Sequence, residues 1–146
     1  MKKAFALTTV LAVIVLAMGA NAAGPLRMRI EVPFAFSAGN AQLPAGEYIV
    51  DIQGMSPYSA TGSSVVIRES KGAAAVVLFA MPLGRPGTTE TASVVFNKYG
   101  QAYFLTEVRQ PMLEVGVAKS KAEKEASLAY GVRGGEPRIL QARVIR

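Results

Sequence analysis

The chain has no cysteine, no histidine and a single aspartate, Asp51. Without cysteine it forms no disulfide, and thiol nucleophiles and thiolate metal sites are excluded. Without histidine it lacks the Ser-His-Asp triad, the Cys-His pair and the side chain that ordinarily titrates near neutral pH. The usual zinc ligand sets fail on both counts. One aspartate is too little for an oxygen-rich calcium loop. Gly84-Arg85-Pro86-Gly87 has neither the glycine spacing nor the Lys-Ser/Thr ending of a phosphate loop. No catalytic, cofactor-binding or metal-ligating residue is therefore expected, and no cofactor.

Long hydrophobic runs are also scarce. The longest, residues 4–18, is 15 residues long, whereas a spanning helix needs roughly 20. Met1-Lys2-Lys3 precedes it, and Gly19-Ala20-Asn21-Ala22 follows with small residues in the A-x-A arrangement. That order predicts a signal peptide over residues 1–22, cleaved after Ala22 or, failing that, after Ala23. The chain is expected to be exported, to the periplasm or the exterior, with no transmembrane segment in its mature form. No cysteine follows the leader to carry a lipid anchor. The mature part, residues 23–146, has the length of one domain and can bury a core without staples.

Charge is unevenly placed. Residues 23–118 hold seven basic and seven acidic side chains, whereas 119–146 hold seven basic ones against Glu123, Glu125 and Glu136. A basic C-terminal segment, 131–146, follows from this. Arg133, Arg138 and Arg143 are its candidate contacts for an anionic partner, and a solvated surface is the plainer reading. Tyr130 is the one aromatic in that stretch, so the basic–aromatic interleaving that stacks nucleic-acid bases is missing. No nucleic-acid partner is expected.

What is present is alternation. Met28, Ile30, Val32, Phe34 and Phe36 occupy even positions between polar or small residues, and Tyr48, Val50 and Ile52 repeat the pattern. Both read as half-buried strands, with Tyr48 in the core. Further strands are expected at 64–69, 73–80, 91–96, 102–108 and, more weakly, 139–145. Leu43-Pro44-Ala45-Gly46, Glu69-Ser70-Lys71-Gly72 and Asn97-Lys98-Tyr99-Gly100 each carry glycine fourth, as type I turns favour. Two hairpins follow, 65–69 with 73–79 and 94–96 with 103–105. Longer loops are expected at 54–63 and 83–90. Ser120-Lys121-Ala122-Glu123 has capping-box spacing and predicts a helix near 120–130, stopped by Gly131, that either lies flat on the sheet through Ala122, Ala126 and Ala129 or projects from the body. Tyr99, placed in its hairpin turn, is the exposed aromatic best suited to touch a partner.

Carboxylates are the remaining route to catalysis. Glu47 and Asp51 share one strand face and Glu31 lies on a candidate neighbour, so a hydrolase built on these three is a weaker alternative beside a solvated sheet face. Ser70-Lys71 and Ser120 with Lys124 are the candidate serine–lysine pairs, without a visible oxyanion site.

Val32-Pro33-Phe34-Ala35-Phe36, Leu43-Pro44-Ala45-Gly46-Glu47-Tyr48, Val95-Phe96-Asn97-Lys98-Tyr99-Gly100 with Tyr103-Phe104-Leu105, and Ser120-Lys121-Ala122-Glu123 together resemble a family of short exported bacterial proteins. The resemblance spans most of 32–126. It implies export and a compact β fold, and carries over no active-site residue. The Leu-Pro-Ala-Gly-Glu-Tyr turn is also similar to one in transthyretin-like and carboxypeptidase-regulatory-like β-sandwiches.

The expected fold is all-β: a single antiparallel β-sandwich or flattened barrel of about seven strands, with one short C-terminal helix, preceded by a signal peptide. The expected function is that of an exported, non-catalytic structural or binding module of the periplasm or cell surface. Its partner would be a protein, a glycan or a cell-envelope component. The alternative is attachment to an anionic polymer or membrane through the basic C-terminal segment.

Overall fold

Alternation in the sequence becomes the first strand. The computed structural model describes residues 27–54, 62–72, 74–84, 91–111, 113–131 and 135–145. In it β1 (Arg27–Val32) buries Met28, Ile30 and Val32 and leaves Arg27, Arg29 and Glu31 exposed, the period-two pattern of a half-buried strand. Pro33 follows directly, and proline has no N–H to give to a ladder. The chain resumes as two three-residue strands, β2 (Phe36–Ala38) and β3 (Ala41–Leu43), turned at Gly39 with φ of 60°. Then come β4 (Gly46–Gln53), β5 (Ser63–Glu69), β6 (Ala75–Pro82), β7 (Ser93–Tyr99), β8 (Ala102–Gln110) and β9 (Leu113–Val117), the helix α1 (Lys121–Ala129), and finally β10 (Glu136–Gln141) and β11 (Arg143–Ile145). The expected leader and its cleavage site, most of the two longer loops, Ala73 and Arg133 lie outside the described residues.

The molecule is mostly β with one short C-terminal helix, as expected. The finer expectation is corrected. The 11 strands form one open, mixed sheet rather than a seven-stranded antiparallel sandwich or a barrel, along the path β10-β7-β8-β9-β6-β5-β4-β1-β11. β2 and β3 pair off that path, and one parallel bridge, Ser37 to Phe104, ties β2 to β8. The extra strands are β2 and β3, three residues each and too brief for periodicity to register, and β9, whose alternation of Leu113, Val115 and Val117 sequence reasoning passed over. The final expected strand is split in two at Ala142.

Both predicted hairpins form. β5 and β6 pair with Arg68 opposite Ala75, and β7 and β8 pair with Phe96 opposite Leu105, with a bulge between Val95 and Phe96. The second turn is tighter than expected. The ladder runs on to Tyr99 opposite Ala102, leaving a two-residue turn that opens on Gly100 at φ 61°, where glycine carries no steric cost.

The C-terminal segment is part of the sheet. β10 pairs with β7 and β11 pairs with β1, the two ends of the strand path. Only Ala142 separates them, and its N–H donates to the Ala92 carbonyl at 2.9 Å. One core gathers residues from both halves of the path: Met28, Ile30 and Val32 with Tyr48, Val50, Val65, Phe96, Val108 and Val115. Aromatic edges lock it. Phe36 meets Tyr48 and Phe96 edge-on at 5.3 and 5.2 Å between centroids, and Phe34 stacks on Tyr103 at 3.8 Å. Tyr48 also donates its hydroxyl to the Pro44 carbonyl at 2.6 Å, closing the predicted turn from within.

Candidate binding surface

β6 is apolar on both faces, and only one of them is covered. Leu78 and Ala80 enter the core, whereas Val77, Phe79 and Met81 are 65, 63 and 62 % exposed. They stand at alternate positions, so they form one stripe on the outer face of the sheet. Scattered exposed apolar residues are ordinary, whereas a contiguous stripe is a candidate interaction surface. Register places its neighbours. Val77 lies opposite Val66 and Phe79 opposite Ser64 on β5, and Met81 lies opposite Gly116 on β9. Gly62 sits against the Phe79 ring, in space that a Cβ would fill.

Charged groups flank the stripe on the same face. Asp51 of β4 is opposite both Val66 and Arg27. Its buried carboxylate is 3.7 Å from Arg27 Nε and 3.3 Å from Arg68 Nη1. On the far side, Glu107 of β8 is opposite Gly116, and Arg109 is opposite Glu114. Arg109 Nη2 is 2.7 Å from Glu107 Oε2. Among the described residues, two cations thus share one carboxylate on one flank, and two carboxylates accompany one cation on the other.

The opposite end of the β7–β8 hairpin holds a buried polar node. Ser120 caps α1, accepting from the Glu123 N–H at 3.2 Å, as the capping box predicts. The Glu123 side chain itself turns inward and is the one buried residue of the helix. The expected alanine contact is corrected: Ala122 and Ala129 are exposed and Ala126 is half-buried, because the carboxylate occupies the position facing the sheet. Burial raises the Glu123 pKa, while Lys119 and the side chains of Asn97 and Tyr99 pull it back. Glu123 Oε1 and the Tyr99 hydroxyl are both buried without a partner at hydrogen-bonding distance.

That node overturns the exposure expected for Tyr99. The residue ends β7 instead of lying in the turn, and it is 2 % exposed. Its ring meets Phe104 at 5.8 Å, and Gly135 approaches it closely enough that an added Cβ would collide. Arg138 and Arg143 are exposed, on β10 opposite Phe96 and on β11 opposite Arg29 respectively. Neither makes an ion pair among the described residues. The structure brings Arg143 beside Arg29 and leaves Arg138 at the other end of the strand path.

Glu31 and Glu47 are directly opposite across β1 and β4. With Lys71 they line a shallow cleft of about 460 Å³, and both are exposed. Arg29 Nε is 4.0 Å from Glu47 Oε1. Asp51 lies four residues along β4 from Glu47 and pairs with Arg27 and Arg68 instead. Ser70 and Lys71 form part of the neighbouring turn, and Ser120 is committed to its cap. Among the described residues no group of three or more acidic, histidine or cysteine side chains is placed to hold a metal, and no helix is long and apolar enough to cross a membrane.

No protein-family model, curated protein or solved structure matches the chain. Sequence reasoning missed the stripe although its signal is visible. Residues 76–81, Val-Val-Leu-Phe-Ala-Met, are apolar without alternation, which requires cover on both faces of a strand, and the structure supplies it on one.

Proposed function

We propose that this chain is an exported, non-catalytic binding module of the periplasm or cell surface, and that it binds through the outer face of its sheet. The Val77–Phe79–Met81 stripe carries the reading, because three large side chains at more than half exposure on one strand are costly to leave in water and stabilising once covered. The leader-like first 22 residues and the resemblance to short exported bacterial proteins support export. A photo-crosslinker placed at residue 79 in the producing cell tests the reading, with the same group at residue 31 as the control. A discrete adduct from 79 that is absent from 31 is the expected result. Equal labelling from both sites, or none from 79, overturns it.

A second reading is electrostatic attachment to an anionic polymer or membrane. Arg29 and Arg143 favour it, being like charges directly opposite, an arrangement that an anion would relieve. Because β10 and β11 belong to the sheet, deleting them would test folding instead. Arg143→Gln, with release measured against rising salt, isolates the charge. Binding that ignores both salt and Arg143→Gln removes this reading.

A further inference from the structure

We infer that the partner of the β6 stripe is a second copy of this chain, docked face to face about a two-fold axis passing over Phe79. This rests on the binding-face reading above and names its occupant. The flanking charges carry it, because they are opposite in sign and balanced about Phe79. Arg27 and Arg68 share the single carboxylate of Asp51, a surplus of one positive charge. Among the described residues, Glu107 and Glu114, the latter 8 % exposed, share the face with Arg109, a surplus of one negative charge.

Their positions follow from register. Arg68 is level with Ala75, and Arg27 and Asp51 are level with Val77. Glu107 is level with Met81, and Glu114 lies two residues further along on β9. With ~3.3 Å per residue and ~4.8 Å between strands, the two flanks lie at nearly equal distances from Phe79, roughly 13 Å each, in opposite directions. They are aligned diagonally to β6. A two-fold axis lying in the interface at roughly 50° to β6 therefore exchanges them and crosses the two β6 strands at roughly 100°, within the near-orthogonal class of sheet packing. Each copy then sets its Arg27–Arg68 flank over the other's Glu107–Glu114 flank, with the two stripes meeting at the axis. Such a contact is isologous, so both apolar stripes are covered at once and the contact closes on itself instead of propagating.

The test is sedimentation equilibrium of the processed, exported chain from micromolar to millimolar concentration. The expected mass rises from one chain to two. Phe79→Asp should weaken association at least about 100-fold, since the isologous contact would bury the new charge twice. Arg68→Glu should weaken it about tenfold, and Glu107→Arg added to Arg68→Glu should restore part of that loss. Met81→Gln serves as a second probe if Phe79→Asp does not fold. A chain that stays monomeric throughout, or a dimer indifferent to both stripe substitutions, overturns the inference. Flotation of a monomeric chain with vesicles of phosphatidylglycerol, abolished by Phe79→Asp, would also overturn it and assign the face to lipid. Either result leaves a crosslink from residue 79 to another partner, and with it the binding-face reading, separately decidable.

Discussion

Asp51 is buried beneath two arginines that are not. Its side chain is 2 % exposed, whereas those of Arg27 and Arg68 are 55 and 42 % exposed. The energetic consequences of removing one member are therefore unequal. Asp51→Ala releases two guanidiniums already half in water, and should cost about 1–2 kcal/mol, mostly the hydrogen bond from Arg68. Arg27→Ala or Arg68→Ala alone leaves the carboxylate one cation, so each should cost about 0.5–1 kcal/mol, near the value of a half-exposed pair. Removing both leaves a buried charge with nothing opposite it. Breaking a buried pair costs about 3–5 kcal/mol, and water entering where the arginines stood brings the expectation to about 3 kcal/mol.

The two single losses thus sum to about 1–2 kcal/mol, while the double variant loses about 3, a coupling of at least 1 kcal/mol. Urea unfolding at neutral pH measures all four chains, with midpoints compared at unchanged m. Coupling below about 0.5 kcal/mol would refute the reasoning. It would mean that the carboxylate is hydrated in solution and that the arginines only decorate it.

The Glu123 node predicts a pH dependence. Its folded pKa lies above the ordinary glutamate value, so the folded state holds the proton more tightly than the unfolded one, and stability falls as pH rises from about 4 through the raised value. Glu123→Gln should match the parent at pH 4 and exceed it by on the order of 1 kcal/mol at pH 8; a constant difference between the two pH values would sink this account. Gly100→Ala should destabilise by at least about 1 kcal/mol, because the backbone sits at φ 61° and the Tyr130 hydroxyl occupies the space a Cβ needs; an unchanged thermal midpoint would contradict it. Phe96→Ala should cost about 3–5 kcal/mol, since that ring lies in the core against Phe34 and Phe36, and a loss under 1 kcal/mol would show that the aromatic edges do not lock the core. Truncation before Glu136 should abolish cooperative unfolding by circular dichroism, because β10 and β11 line both ends of the strand path, whereas a basic tail could be removed freely.

The strands with clean alternation were legible because alternation reports burial on one face: Met28, Ile30, Val32, Tyr48 and Val50 all entered the core. The hairpins were legible because their turns announce themselves with glycine. The short helix was legible from Ser120 and Glu123, yet the same motif misled about what docks it. A capping-box glutamate is ordinarily solvated, and nothing local shows that Asn97 and Tyr99 will lie beneath it. Tyr99 went astray for a related reason. A type I turn ending at Gly100 and a two-residue turn beginning there share one glycine, and the choice between them moves Tyr99 from solvent into the ladder. Strand order was not legible at all. That β10 and β11 reach opposite ends of one sheet depends on pairing partners some 40 to 115 residues away, which no local pattern encodes.

That topology also bears on how the chain associates. Open sheet ends usually invite strand addition, and proteins blunt them with short strands, prolines and charges. Both ends here carry such devices. β11 is three residues long and begins with Arg143, and β10 carries Pro137 and Arg138. Arg138 and Arg143, which composition marks as attachment points, are thus placed where they discourage further pairing of the sheet, and their lack of ion-pair partners among the described residues suits that role. Leu128, Tyr130 and Ile139 are also exposed, but the stripe of three on the face of β6 is the one set in register along a single strand among the described residues, and there side chains rather than backbone make the contact. Association through a face is limited by what two copies can bury and stops at two, whereas association through an edge repeats. Arg138→Val together with Arg143→Val should therefore produce thioflavin-binding aggregates while leaving the Phe79-dependent mass unchanged at low concentration. A double variant that stays soluble and unaggregated would show that the arginines do not guard the edges, and would return them to the electrostatic reading.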